Sequence, residues 1–144
     1  MTTPENHISI IYDSQYQTLL YHTESGIFEE IWKEGSRELT DELYQEDFLK
    51  LIKVGFRIPF NKVLIDHREF HFTISPELQT WHLENIFSVS IQYVTGKTKV
   101  ANLVTPDFYA QLSIEQTFEE VKTDKFIDFL YFDDRIAAVR WLLK

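Results

Sequence analysis

The order of elements between residues 62 and 78 constrains the fold more than any other feature of the sequence. Residues 63–65 (Val-Leu-Ile) form an apolar run typical of a strand that is buried on both faces. Asp66 ends this run, and after a polar segment Ser75, Pro76 and Glu77 have the residue types favoured at the cap and first turn of a helix. Because ligands of open α/β sheets bind where strands end next to helix starts, this segment predicts an α/β fold and a candidate site.

The chain before this strand predicts an antiparallel meander followed by a helix. Residues 8–12, 17–22 and 27–33 are rich in β-forming residues and are separated by turn-forming residues. Thr40 is a typical N-cap, apolar residues then recur at helical spacing, and Gly55 is a typical helix end. We therefore expect three short strands and one amphipathic helix before the central strand.

The chain after the candidate site predicts alternating helices and strands. Apolar residues from Ser75 onward have helical spacing, although residues 88–94 also alternate as they would in a strand. We favour one long helix that ends at Gly96, because a parallel neighbour of the central strand requires a crossover of this kind. We expect three further elements at residues 100–104 (strand), 107–121 (helix) and 126–132 (strand), and a last helix capped by Asp133.

Composition predicts one soluble, cytoplasmic domain over residues 1–144. A hydrophobic fraction of 44% is enough to build a single buried core at this length. A formal net charge of -9 disfavours nucleic acid as a partner, and the lack of cysteine excludes disulfides, thiolate metal sites and cysteine nucleophiles. The N-terminus has no signal-peptide pattern, and no apolar run approaches the ~20 residues of a transmembrane segment.

Four pieces of the sequence carry a family resemblance that covers most of the chain. They are Val-Leu-Ile-Asp at 63–66, Ser-Pro-Glu-Leu-Gln-Thr-Trp at 75–81, Val-Ala at 100–101, and Phe-Asp-Asp at 132–134 with Ala-Val-Arg-Trp-Leu at 138–142. Together with the order of elements, these pieces resemble the STAS-like domains of sulfate transporters and anti-sigma-factor antagonists. They are most similar to short bacterial STAS-like proteins grouped with CRAL-TRIO lipid-binding domains.

The resemblance implies a mixed sheet covered by helices and a regulatory or ligand-binding function. In the phosphorylated antagonists a strand ends in Asp and a Ser follows almost at once at a helix start. Asp66 matches that Asp, whereas residues 67–74 separate it from Ser75, which corresponds only by its position at the helix start. Thr73 and Ser75 are the candidate phosphorylation sites, because a phosphate there would meet the positive helix end and Arg68.

The polar segment after the central strand holds the candidate binding residues. Asp66, His67, Glu69 and His71 are all metal-ligand types, but an extended chain would turn Asp66 away from the other three. The alternative is a hydrogen-bonded loop that Arg68 stiffens by pairing with Asp66 or Glu69. We favour this alternative and predict neither a metal nor a cofactor.

Two other interpretations concern catalysis and an apolar pocket. Ser75 with His71 or His82 and an acid such as Asp66 would supply the groups of a hydrolase, although Ser75 already suits a helix cap. Trp81 and His82 lie on the apolar stripe of the helix and are candidates to line a pocket. Four more aromatic residues would complete its wall: Tyr93, Phe108, Phe129 and Trp141.

These patterns together predict a non-catalytic regulatory or interaction module. The main alternative is a carrier or sensor of a small apolar or lipid-like ligand, and a metal- or Ser-dependent hydrolase is the third hypothesis. A protein partner and self-association as a homodimer are further expectations. The acidic pairs, including Glu29-Glu30, are interpreted as solubilising surface charges or helix-end charges. The predicted binding residues are Asp66, His67, Arg68, His71, Trp81 and His82.

Overall fold

Six strands form a single sheet in the computed structural model, which describes residues 7–144, and their order in space follows their order in the chain. The strands are β1 (Ile8–Asp13), β2 (Gln17–His22), β3 (Ile27–Trp32), β4 (Phe60–Asp66), β5 (Val94–Leu103) and β6 (Ile127–Phe132). The first three strands pair antiparallel, and β3 to β6 pair parallel. This mixed sheet, with its antiparallel start and later alternation of strands and helices, confirms the predicted α/β class.

Helices connect the parallel strands and close the chain. They are α1 (Asp41–Val54), α2 (Pro76–His82), α3 (Ser88–Ser90), α4 (Phe108–Thr117) and α5 (Arg135–Leu143). The predicted caps of α1 and α2 are confirmed, because the side chains of Thr40 and Ser75 each accept a hydrogen bond from the third residue of their helix. The predicted cap of α5 is wrong by one residue, since Asp134 and not Asp133 accepts the hydrogen bond from the Ala137 backbone.

The helical path after α2 is shorter and less regular than the predicted long helix. It passes through a π-helical turn (Leu83–Phe87), α3 and a 3-10 turn (Ile91–Tyr93), and the chain is extended from Val94 onward. Gly96 therefore does not end a helix. It lies within β5 with a φ of 67°, at a register shift between β5 and β4, where the left-handed conformation suits glycine.

The two faces of the sheet pack against different helices. Side chains alternate along each strand, so neighbouring residues of β3 such as Phe28 and Ile27 belong to different hydrophobic clusters. We name the face covered by α1, α2 and α4 the pocket face, and the face covered by α5 the α5 face. The large aromatic residues of the core are concentrated on the pocket face.

None of the helices in residues 7–144 has the length and apolar character needed to cross a membrane.

Candidate ligand-binding site

A pocket of about 90 Å³ lies between the pocket face of the sheet and the helices that cover it. Its floor is apolar and comes from three neighbouring strands, with Val63 and Ile65 on β4, Val100 on β5 and Phe129 on β6. Phe48 of α1 is part of its roof. Most of the lining is therefore hydrocarbon, which favours an apolar guest.

One end of the pocket is polar and deeply buried. Glu30 from β3, Tyr44 from α1, His67 from the end of β4 and His82 from the end of α2 all line it, and each is less than 10% exposed. These residues come from four separate elements, which meet only because the sheet and its covering helices are packed together. The fold thus places an acid, a phenol and two imidazoles in otherwise apolar surroundings.

Within the described part of the chain, Glu30 is the only acidic residue that lines the pocket. Its pKa is raised from 4.5 to about 7, mainly by burial; the hydrogen bond from Trp32 opposes this shift, and the charge of Asp47 adds to it. That bond joins Nε1 of Trp32 to Oε2 of Glu30 over 3.0 Å. Among residues 7–144, no Lys, Arg or His forms an ion pair with Glu30. The carboxyl group therefore changes its charge close to neutral pH.

The two histidines of the lining are held neutral. Burial lowers the pKa of His67 to about 4 and that of His82 to about 3. Nδ1 of His67 lies 2.7 Å from the carbonyl oxygen of the Asn102 side chain, so this nitrogen donates and Nε2 is left as an acceptor. Nδ1 of His82 lies 2.9 Å from the hydroxyl of Tyr44. Neither imidazole therefore supplies a positive charge at neutral pH.

The opposite end of the pocket is lined by less deeply buried residues. Phe87 from the π-helical turn, Ser90 and Val94 are half-buried there, and Ile91 is 42% exposed. π-Helical turns widen a helix by one residue and occur often at functional sites. We identify this stretch as the mouth of the pocket, opposite the polar end.

The polar segment singled out in the sequence covers the polar end of the pocket. His67, Phe70 and Ile74 point inward and line the pocket, whereas Arg68 and Thr73 are exposed. A buried hydrogen bond holds the segment in place, because the hydroxyl of Thr105 donates to the Phe70 backbone carbonyl over 2.9 Å. The strand end is thus next to the site, but only part of the predicted set of residues contributes to it.

Asp66 and Arg68 form a pair outside the pocket. The guanidinium of Arg68 donates two hydrogen bonds to the Asp66 carboxylate, of 3.0 and 2.8 Å. Asp66 follows Ile65 on β4, and Ile65 lines the pocket, so the Asp66 side chain projects from the other face of the sheet. The predicted pairing of Arg68 with Asp66 is confirmed, and neither residue lines the pocket.

His71 lies on the surface side of the segment and has no contact with the pocket. Its Nε2 is 3.3 Å from the guanidinium of Arg37 and 3.6 Å from the Glu69 carboxylate. His67 is buried and faces the pocket, so the side chains predicted as candidate metal ligands do not lie together. Within the described part of the chain, no three His, Asp or Glu side chains are grouped as metal ligands would be.

The groups of the hydrolase hypothesis have separate hydrogen-bond partners. The hydroxyl of Ser75 accepts from the Leu78 backbone and donates to Asp41 over 3.3 Å. His82 contacts Tyr44, and Asp66 contacts Arg68. Ser75 therefore has the structural role of a helix cap, with neither histidine as its base.

The predicted aromatic wall is only partly assembled. Phe129 lines the pocket, while Trp81 packs against the same core from outside it. Trp141 lies on the α5 face in contact with Phe132. Phe108 is 71% exposed and does not line the pocket. Tyr93 packs beside the pocket without lining it.

Two residues of the polar end, Glu30 and Tyr44, are absent from the predicted site residues. The interpretation of Glu29-Glu30 as surface charge is wrong, because both side chains are buried. The sequence of the strand indicates this burial. Ile-Phe-Glu-Glu-Ile-Trp has large apolar residues on both sides of the two acids, which is typical of a strand covered on both faces. Tyr44 is one of the buried residues of α1, but its position at a polar pocket depends on tertiary packing.

No protein-family model matches this chain, and no curated protein is significantly similar to it.

Proposed function

We propose that this protein binds a small, mainly apolar molecule in the pocket between its sheet and helices. The observation that carries the proposal is the lining: an apolar chamber with a mouth at one end and a cluster of buried polar groups at the other. Charged and polar side chains are rarely buried in an apolar core, so their concentration at one end favours a role in orienting a guest.

The size of the pocket limits the class of ligand. A volume of about 90 Å³ is smaller than the roughly 150 Å³ of an engineered cavity that holds benzene, and far below the ~300 Å³ of the smallest drug-sized pockets. We therefore propose a guest of about five non-hydrogen atoms and not a lipid chain. At a ceiling of about 1.5 kcal/mol per atom, its Kd is micromolar or weaker.

The test uses the indole signals of the protein in two-dimensional NMR. The chain has three tryptophans, and of these only Trp32 lines the pocket. Xenon, an apolar probe without a head group, and 1-butanol are expected to shift the Trp32 signal, while the signal of Trp141 on the α5 face stays in place. If neither probe shifts the Trp32 signal, the proposal is wrong.

A matched pair of variants identifies the binding position. Val100→Phe adds a ring inside the pocket, whereas Val139→Phe makes the same change on α5, on the opposite side of the sheet. Binding of both probes should be lost in the first variant and retained in the second. Equal binding by the two variants would exclude this pocket as the site.

We propose a second, regulatory function that depends on the same pocket. The segment 67–75 has an inner side that lines the pocket and an outer side, including Arg68 and Thr73, that is exposed. A guest in contact with Phe70 or Ile74 would thus influence a surface that a protein partner can contact. This agrees with the regulatory role that the STAS-like resemblance implies. The family, the partner and the homodimer all stay predictions.

Hydrogen exchange tests the regulatory proposal. Saturation with 1-butanol should slow amide exchange in residues 67–75 relative to the free protein, because the guest stabilises the contacts under the segment. Exchange in β1, at the far edge of the sheet, serves as the internal control. Unchanged exchange in residues 67–75 at full occupancy would exclude coupling between the pocket and this surface.

A further inference from the structure

We propose that the natural ligand of the pocket is a small amine, bound as an ammonium ion by Glu30 and the aromatic rings around it. This inference rests on the proposed function and specifies the chemistry of the ligand head group. It follows from three features that the described residues give the polar end: the sign of its one carboxylate, the lack of a cation paired with it, and the rings grouped around its hydrogen-bond partner Trp32.

The charges of the lining exclude an anionic head group. Glu30 supplies a carboxyl group, and no Lys or Arg is present among the described residues that line the pocket. Asp47 adds negative potential from α1, since its charge acts on Glu30. A carboxylate or phosphate ligand would therefore be buried against like charge with no counter-ion.

An ammonium group would supply the positive charge that Glu30 lacks. On the other face of β3, Arg135 performs this role for Glu29 with a 3.0 Å contact. The nearest polar partner of Glu30 is the neutral indole N–H of Trp32, which occupies only Oε2. A cationic ligand in the pocket would thus give Glu30 the positively charged partner that the described residues do not provide.

Aromatic rings grouped around Trp32, the hydrogen-bond partner of Glu30, favour the same head group. The Trp32 ring centroid is 4.6 Å from that of Phe70, 5.6 Å from that of Phe48 and 6.3 Å from that of Tyr44. All four rings line the pocket. The faces of such rings attract cations, and a group of them next to a carboxylate is the typical surrounding of a bound ammonium.

The charge state of Glu30 gives the interaction a defined pH dependence. The groups around it are Asp47 and Tyr44 on α1, His67 at the end of β4, and His82 at the end of α2. The two histidines become charged only near pH 4 and pH 3, and burial together with the charge of Glu30 raises the pKa of Tyr44 well above its usual value. Between pH 6 and 8, Glu30 is therefore the group whose ionisation controls amine binding.

The experiment compares three probes that differ only in their head group. n-Butylamine, 1-butanol and butyrate are titrated at pH 8 and followed by the Trp32 indole signal. We expect n-butylamine to bind at least about tenfold more tightly than 1-butanol, and butyrate not to bind. Equal or tighter binding of 1-butanol, or any binding of butyrate in preference to the amine, would overturn the inference.

A charge-removing variant and its matched control complete the test. Glu30→Gln keeps the shape of the side chain and an acceptor for Trp32, and should abolish the preference for the amine while 1-butanol still binds. Glu29→Gln makes the same change on the α5 face and should leave the preference intact. A preference that survives in Glu30→Gln would contradict the inference.

The pH dependence of the unmodified protein tests the inference without a variant. Protons compete with the amine for Glu30, so n-butylamine should bind about tenfold more weakly at pH 6 than at pH 8. Binding of 1-butanol should not weaken over this range. Amine binding that is independent of pH would overturn the inference, whereas failure of every probe to bind would overturn the proposed function itself.

Discussion

Glu29 and Glu30 are consecutive residues of the same strand, and both are buried, with 3% and 8% exposure. Glu29 projects from the α5 face, where Arg135 and His22 lie 3.0 and 2.8 Å from its Oε1. Glu30 projects into the pocket, where its neighbours are aromatic rings, neutral imidazoles and the negative charge of Asp47.

This difference in surroundings shows that burial alone does not determine the role of an acidic residue. Glu29 has its counter-charge, Arg135, within the protein, so it serves as a structural link between β3 and α5. Among the described residues Glu30 has no counter-charge, so its charged form is destabilised and its surroundings favour either a proton or an external cation. A buried acid without a counter-charge, next to a pocket, is a candidate functional residue for this reason.

The largest expected effect is a dependence of stability on pH that comes from Glu30. The folded state keeps a proton on this group up to about pH 7, whereas the unfolded chain releases it near pH 4.5. Between these values the folded state binds more protons, so raising the pH should lower the free energy of unfolding, by about 3 kcal/mol over the full window.

Urea denaturation of the unmodified protein and of Glu30→Gln, at several pH values from 5 to 8, measures this contribution. His67 and His82 act in the opposite direction, because they stay neutral in the folded state and take up protons on unfolding below pH 6.5. Both proteins contain these histidines, so the difference between them isolates Glu30. A difference that stays constant across the range would show that Glu30 is ionised normally.

A smaller effect is expected when Glu29 loses its arginine. Arg135→Met should destabilise the protein by about 2 kcal/mol, less than the ~3–5 kcal/mol of a fully buried pair, because the Arg135 side chain is 42% exposed and His22 remains. Arg140→Met on the exposed side of the same helix is the control and should change stability by less than about 0.5 kcal/mol. Equal effects of the two changes would exclude a structural role for the Glu29 pair.

Replacing Glu29 and Glu30 by methionine, one at a time, should change the stability of the protein in opposite directions. At pH 8, Glu30→Met removes a buried charge without a counter-ion and should stabilise the protein by about 1 kcal/mol. Glu29→Met removes the partner of Arg135 and should destabilise it by a similar amount. Denaturant midpoints at one pH measure both, and changes of the same sign would contradict the proposed contrast between the two faces.

Much of the fold could be predicted from the sequence because its signals are local. The β-rich runs, the caps Thr40 and Ser75, and the apolar run at 63–65 each depend on neighbouring residues, and each is found where it was expected. The long helix was predicted less well. Pairing of Val94 with Phe60 of β4 extends β5 backwards and overrides the helical pattern before Gly96.

The site could be predicted only in part because it is assembled from distant segments. His67 and His82 were selected for their positions at a strand end and on a helix stripe, and both line the pocket. Asp66 and His71 were selected by the same reasoning, yet the alternation of side chains and the turn of the loop direct them elsewhere. The acid of the site, Glu30, is 37 residues from His67 and 52 residues from His82 in sequence, so no local pattern joins them.

The smallest expected effect concerns Asp47, whose negative charge adds to the electrostatic difference between Glu30 and Glu29. The charge of Asp47 raises the pKa of Glu30, after burial as the main cause. Asp47→Asn should therefore lower the midpoint of the Glu30 titration, by less than burial raises it. The amide keeps an oxygen that can accept from the Tyr12 hydroxyl, as Oδ1 of Asp47 does over 2.6 Å. Carbon-13 NMR of the Glu30 carboxyl group measures the midpoint directly, independently of any change in stability.

Glu46→Gln, at the adjacent exposed position of α1, is the control and should leave the midpoint in place. If both variants leave it unchanged, desolvation alone accounts for the behaviour of Glu30, and the contrast with Glu29 depends on the missing cation and not on an opposing charge.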